Sequence, residues 1–312
     1  MLLLPAIGII LLLSIFPLVA SLFLSVARVN FARGGVEITF VGFSNYQKLL
    51  FGSQQRHLLG KFGEVPFLGW VLIFAAAGLL IYWWYRYLVG GKARLRGSVL
   101  RLVAVVVTTG LVWLCVSTLT GGGLPGTMVV TLIFVIVGVF FQYTIGLALA
   151  MLLVQNLPGK RFFRIVFLLP MMITPVGIAF LFRMLTDTHV GPLAPALTSL
   201  GLSNVSAWVA TAEGARTAVL IGDIWQWTPF MFIILLAALE GTSKDQLEAA
   251  YVDGATRLQV FRFILLPQIA PVSLTLILIR LIEAFKIIDI PRILTGGGPG
   301  TATETLTMHS YL

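Results

Sequence analysis

Four charged side chains recur every third residue near the end of an apolar run: Arg280, Glu283, Lys286 and Asp289. Charge inside hydrocarbon is costly, so such groups must face a partner or a water-filled cavity. Two chemistries fit the spacing. An ion-coupled secondary transporter would use this charged helix, residues 272–290, as a proton relay. A self-neutralising ladder would instead set each cation within reach of an anion three residues away and pack the helix against a neighbouring subunit, and the ladder is the simpler expectation. A second group lies in GDIWQWTPF, where Asp223, Trp225, Gln226, Trp227 and Phe230 mix polar and aromatic character inside an apolar run. Sugars present apolar C–H faces and rings of hydroxyls, so a site for them needs aromatic rings beside amide and carboxylate partners. Asp223 falls near the outer end of the run at 217–239, so the tryptophans read equally well as an interfacial belt. Gln142 and Tyr143 form a third pair, suited to pathway lining or to hydrogen bonds between helices.

Nothing catalytic accompanies these groups. His57, His189 and His309 are scattered, and no GxxxxGK[ST] loop is present to cradle a phosphate. The single cysteine, Cys115, sits inside an apolar run and permits neither a disulfide nor a Cys-based metal framework within the chain. We therefore expect no metal and no cofactor in this chain, and no enzyme activity.

The elements that must position these residues are membrane helices. Of 312 residues, 58% are hydrophobic and 11% charged, and the mean hydropathy is +1.00. Such values belong to polytopic membrane proteins rather than soluble domains. About 20 apolar residues cross the hydrocarbon core, and seven runs of roughly that length follow one another: 2–26, 66–88, 102–119, 127–154, 165–185, 217–239 and 269–290. They are continuous rather than alternating, which predicts helices and not barrel strands. The fold class is thus an all-α, polytopic transmembrane bundle embedded in lipid. Pro170 and Pro175 predict kinks in the fifth run. The net charge of +9 is no nucleic-acid signature, because the basic residues sit in short loops, as membrane orientation demands. Arg86, Lys92, Arg94, Arg96 and Arg101 mark one inner segment; Lys160, Arg161 and Arg164 mark another.

The most charged stretch is residues 240–267, EGTSKDQLEAAYVDGATRLQVFRFILLP. Ser243 and Gln246 have capping-box spacing, so a helix can start near Lys244. Asp253-Gly254 is a turn signal, and a second helix follows from about Ala255. Pro267 marks entry into the next run.

The pattern Glu248-Ala249-Ala250, Gly254, Ile264, Leu266, Pro267 resembles the EAA motif of ATP-binding-cassette (ABC) importer permeases. FVGFSNYQKLL (residues 40–50), GKRFFR, FLLP, TPV and the tail PRILTGGGPG are also similar to segments of that family's carbohydrate-uptake, maltose and glycerol-3-phosphate branch. The resemblance covers about residues 1–50 and 127–312. It divides the chain into 1–126, an N-terminal helix, outer loop and extra helical hairpin, and 127–312, a permease core with a coupling loop at 240–267. It implies a binding-protein-dependent importer in the cytoplasmic membrane of a prokaryote. This subunit would form half of an alternating-access pathway for sugar. A second homologous permease, two cytoplasmic ATPase subunits that bind ATP and Mg, and an extracytoplasmic sugar-binding protein would complete the complex. Glu248, Asp253, Gly254 and Arg257 would shape the ATPase contact. The family's final span has no counterpart after the tail, so a missing last helix is expected.

Overall fold

The computed structural model describes residues 4–32, 35–90, 95–155, 158–187, 191–192, 194–199, 201 and 209–311. Lys92, Arg94 and His189 lie outside the described residues. The chain divides into two compact units, residues 1–60 and 61–312.

In the first unit, helix α1 spans residues 4–25 and contains a π turn at Leu11–Ile15. An antiparallel hairpin follows, β1 (Ala27–Ala32) against β2 (Gly35–Phe40), with Ala27 opposite Phe40 and Ala32 opposite Gly35. This hairpin lies within the outer loop expected after the first helix. Its short alternating segments, ARVNFA and GVEITF, carry the strand period. Helix α2 (Ser44–Phe51) then returns to the end of α1. The Asn45 amide donates to the Ser25 and Ala27 carbonyls at 3.0 and 2.9 Å, and the Tyr46 hydroxyl donates to Ser25 Oγ at 2.9 Å. The Asn-Tyr pair is therefore a clamp on a helix C-terminus, whose last carbonyls would otherwise lack partners. A single turn, α3 (Gln55–Leu58), ends the unit.

The second unit opens with a helical hairpin, α4 (Phe67–Val89) and α5 (Leu95–Leu119). Its base is tied by the Gly63 amide donating to the Ser117 carbonyl at 2.7 Å. The core follows: α6 (Thr127–Val154), α7 (Lys160–Met172), α8 (Pro175–Thr186), α9 (Ala194–Ser199), α10 (Ala212–Glu240), α11 (Lys244–Val252), α12 (Arg257–Ala284) and α13 (Leu306–Tyr311). Six described helices are long and apolar enough to cross a membrane, and seven if the bent pair α7–α8 counts as one. Pro170 and Pro175 do more than kink: α7 and α8 meet at 95°. Ile173 breaks the helix in an extended conformation, and Thr174 restarts it by accepting a hydrogen bond from the Gly177 amide at 3.2 Å.

Helix α10 is the axis of the core, with 56% of its apolar window buried against 11% for α4 and for α5. It packs along α6, where Gly146 lies so close to Met231 that a Cβ there would come within 2.7 Å of the Met231 Cβ. Small residues at such crossings let backbones approach without a hydrophobic drive. Val135, Val139, Phe232, Leu235 and Leu236 fill the contact, and Phe167 of α7 meets Phe232 edge-on at 5.7 Å. Beyond α12 the tail folds back over the starting ends of α6 and α10. The Thr131 hydroxyl accepts from the Leu306 amide at 2.9 Å, and Arg216 Nε donates to the Ala302 carbonyl at 2.8 Å.

Candidate functional site

Two polar assemblies interrupt this apolar core. The first is buried at the centre of α6, α10 and α12. Arg280 Nη2 donates to both carboxylate oxygens of Asp223, at 2.9 and 2.8 Å, and its Nε donates to Gln142 Oε1 at 2.8 Å. Gln142 Nε2 closes the ring by donating to Asp223 Oδ2 at 2.8 Å. The Arg280 guanidinium also stacks over Trp227, 4.5 Å from the ring centroid. Every member of the ring is buried, and the geometry satisfies the condition for burying charge, namely that it be paired and hydrogen-bonded. Gly138, one turn before Gln142, leaves the room: a Cβ there would lie 3.2 Å from Asp223 Oδ2.

This arrangement corrects the charge ladder. Helix α12 ends at Ala284, because the apolar run breaks into a Phe285–Lys286 turn. Lys286 and Asp289 therefore lie beyond it, and the four groups form no single row. Glu283 and Lys286 do pair, at 2.9 Å, but on the surface. Arg280 turns inward to partners on other helices rather than to Glu283. Asp223 also moves from its expected place. α10 begins at Ala212 rather than near Thr217, so Asp223 is well inside the helix and not near its outer end. Trp227, half-buried, stacks on the Arg280 end of the ring, and Trp225 packs against Phe182 at 5.9 Å. Phe230 meets the Trp227 ring edge-on at 6.1 Å. Tyr143 faces a different partner from its neighbour Gln142, its hydroxyl donating to Ser273 Oγ of α12 at 3.0 Å.

A cleft opens beside the ring. Asp223, Gln226, Trp227, Arg280, Glu283, Lys286 and Asp289 line a cavity of about 140 Å³, and Gln226 and Trp227 also face a second of about 240 Å³ at the α7–α8 break. Gln226 Oε1 is buried there without a hydrogen-bond partner.

The second assembly is the knob at residues 240–267. α11 ends in a turn whose Asp253 and Ala255 amides donate to the Ala249 and Ala250 carbonyls, both at 2.9 Å. Gly254 sits at φ +80°, a left-handed conformation that glycine adopts without penalty. The capping box is not at Ser243, whose side chain makes no cap bond. It lies at Thr256, whose hydroxyl accepts from the Gln259 amide while Gln259 Oε1 accepts from the Thr256 amide at 2.7 Å. Gln246 instead accepts a hydrogen bond from Gln268, tying α11 to α12. Pro267 falls at the start of the α-helical part of α12, just after a π turn at Phe261–Leu265, so the helix runs through it. The result is an open groove of about 560 Å³ lined by Ala249, Ala250, Asp253, Ile264 and Pro267 among others. Glu248 and Arg257 are exposed beside it and make no ion pair among the described residues. Glu240, which sequence reading gave no role, holds the root of the knob: it binds Lys160 at 3.0 Å and Arg164 at 2.8 Å. Those ion pairs join the basic segment at 160–164 to the root of the knob.

A bundle of this kind, with charge buried at its centre and a polar knob at one end, is a multi-pass membrane protein. The chain belongs to the binding-protein-dependent transport system inner membrane component family, which matches residues 142–311 and so contains both assemblies. It is 35% identical over 182 residues to a trehalose/maltose transport system permease protein of Thermococcus litoralis, covering 58% of this chain and 61% of that one. It is 34% identical to an sn-glycerol-3-phosphate transport system permease protein of Yersinia pseudotuberculosis, with coverage of 58% and 61%. The chain thus spans about three fifths of the length of the curated relatives it matches. A crystal structure of a bacterial alginate ABC transporter, in complex with an alginate pentasaccharide-bound periplasmic protein, matches with a TM-score of 0.53. The identity is 22%, over 70% of this chain and 85% of that one, a likeness of fold.

Proposed function

We propose that this chain is one permease half of an ATP-driven carbohydrate importer in a prokaryotic cytoplasmic membrane. The observation that carries the reading is the knob: a glycine-hinged pair of helices with an open groove, rooted by Glu240 in the bundle, inside the family match. A rigid knob seated in an ATPase cleft converts closure of two nucleotide-bound ATPase subunits, which hold the ATP and Mg, into rocking of the helices to which it is fixed. Glu248, Arg257 and the groove lined by Ala249, Ala250, Asp253 and Pro267 form the docking face, and Gly254 sets its shape. A second, homologous permease completes the pathway, and an extracytoplasmic binding protein delivers the sugar. The relatives named as sugar permeases support the substrate class, and the polar cleft at Asp223, Gln226 and Trp227 supplies the hydroxyl-binding and stacking groups.

The test is purification of the tagged chain from its native membrane, followed by uptake in proteoliposomes. An ATPase and a second permease should co-purify, and uptake should require internal ATP. Glu248→Lys should leave ATP hydrolysis running while abolishing uptake. A complex lacking an ATPase, or full uptake by the Glu248→Lys variant, overturns the reading.

A further inference from the structure

The central cleft contains both signs of charge, and which of them remain free decides what it accepts. Its two cations are already engaged. Arg280 is held by both oxygens of Asp223 and by Gln142, and Lys286 is held by Glu283 at 2.9 Å. The leftover charged group is Asp289, a carboxylate with no ion pair among the described residues, on the wall of the same cavity. Two cations against three carboxylates leave the lining with one negative charge in excess. An acidic solute entering here would have to compete with Asp223 or Glu283 for those cations. It would face the half-buried Asp289 carboxylate, which repels a like charge, or would have to break the buried ring.

The unmet demand in the cleft is of another kind. Gln226 lines both cavities, and its Oε1 is a buried acceptor without a partner. A buried acceptor left unpaired is costly, and a hydroxyl group donates to it without adding charge. Trp227 beside it offers a ring for an apolar C–H face.

We infer that the solute passing this cleft is uncharged and hydroxyl-rich, a neutral saccharide or polyol, and not a uronate, a sugar phosphate or a sulfonate. Gln226 is its hydrogen-bond acceptor. This rests on the importer reading above, and the two fail separately: that reading fails in the pull-down or in the Glu248→Lys variant, whereas this one fails in the choice of solute or in Gln226→Leu.

The experiment uses the complete complex with its own binding protein in proteoliposomes, offered neutral disaccharides (maltose, trehalose), an oligouronate and glycerol 3-phosphate. ATP-dependent uptake of a neutral disaccharide without uptake of either acidic solute is expected. Gln226→Leu should raise the KM for the transported sugar about tenfold, with the ATPase still co-purifying and kcat much less affected. Uptake of an acidic solute, uptake of neither class, or an unchanged KM in Gln226→Leu overturns the inference.

Discussion

At the residue scale the decisive object is the guanidinium of Arg280. Its partners Gln142 and Asp223 lie 138 and 57 residues away in sequence. Each of the three was visible in the sequence as a polar residue out of place in an apolar run, but nothing in one-dimensional spacing said that they meet. The three-residue rhythm of Arg280, Glu283, Lys286 and Asp289 pointed along one helix, whereas the structure spends Arg280 across three. The reason is energetic: a carboxylate and an amide on facing helices satisfy a buried guanidinium from several directions, while a partner on the same helix leaves most of its donors bare. Removing one partner of a buried pair leaves an uncompensated charge and costs about 3–5 kcal/mol, while replacing both with apolar groups is often neutral. Asp223→Leu and Arg280→Met should therefore each lower the thermal unfolding midpoint of the detergent-solubilised complex sharply. The double variant should recover most of the loss. Additive losses in that cycle would mean that the two side chains act independently.

At the scale of elements, the spans were legible and their punctuation was not. Continuous apolar runs located the long helices, because length and hydropathy are what a bilayer selects, but not all of their starts: α5 begins at Leu95 rather than 102, α10 at Ala212 rather than 217, and α12 at Arg257 rather than 269. The 27–40 hairpin was missed because strands of six residues with mixed polarity resemble a loop. The α7–α8 break was underestimated because proline predicts a kink without saying how far the chain turns. The knob shows the same split. Its two helices and its glycine turn were readable, but two sequences, Ser243-x-x-Gln246 and Thr256-x-x-Gln259, both satisfy the capping-box pattern and only the second closes one. Gln246 is diverted to Gln268, which bridges the helices instead. Thr256→Ala should accordingly cost about 1 kcal/mol of local stability, seen as faster amide hydrogen exchange at residues 257–260, whereas Ser243→Ala should leave exchange in α11 nearly unchanged. Gly254→Val should be more damaging still. Its Cβ has open space, but a β-branched residue at φ +80° is strained by the backbone itself, so the turn must rearrange and uptake should fall while ATP hydrolysis continues.

At the scale of the molecule, α4 and α5 pose a question of parity. They are largely unburied, their base is closed by the Gly63–Ser117 bond, and they lie before the family match at 142–311. Two antiparallel spans enter and leave the membrane on the same side, so the pair is neutral to the orientation of everything after it. A single span is not. The core carries its own orientation signals in Lys160, Arg161 and Arg164, next to Glu240 at the root of the knob, and basic residues flanking spans hold the inner side. Excising residues 66–120 should therefore leave α6 to α12 oriented as before, with the knob inside. Excising residues 95–119 alone should set chain parity against those charges and give inverted or unstable protein. The measurement is thiol labelling. Both deletions remove Cys115, the only cysteine, so a Glu248→Cys substitution supplies a unique reporter on the knob. In sealed right-side-out vesicles a membrane-impermeant maleimide should miss it in the 66–120 deletion and reach it only after permeabilisation. Labelling of that deletion from outside would show that the hairpin sets the orientation of the core.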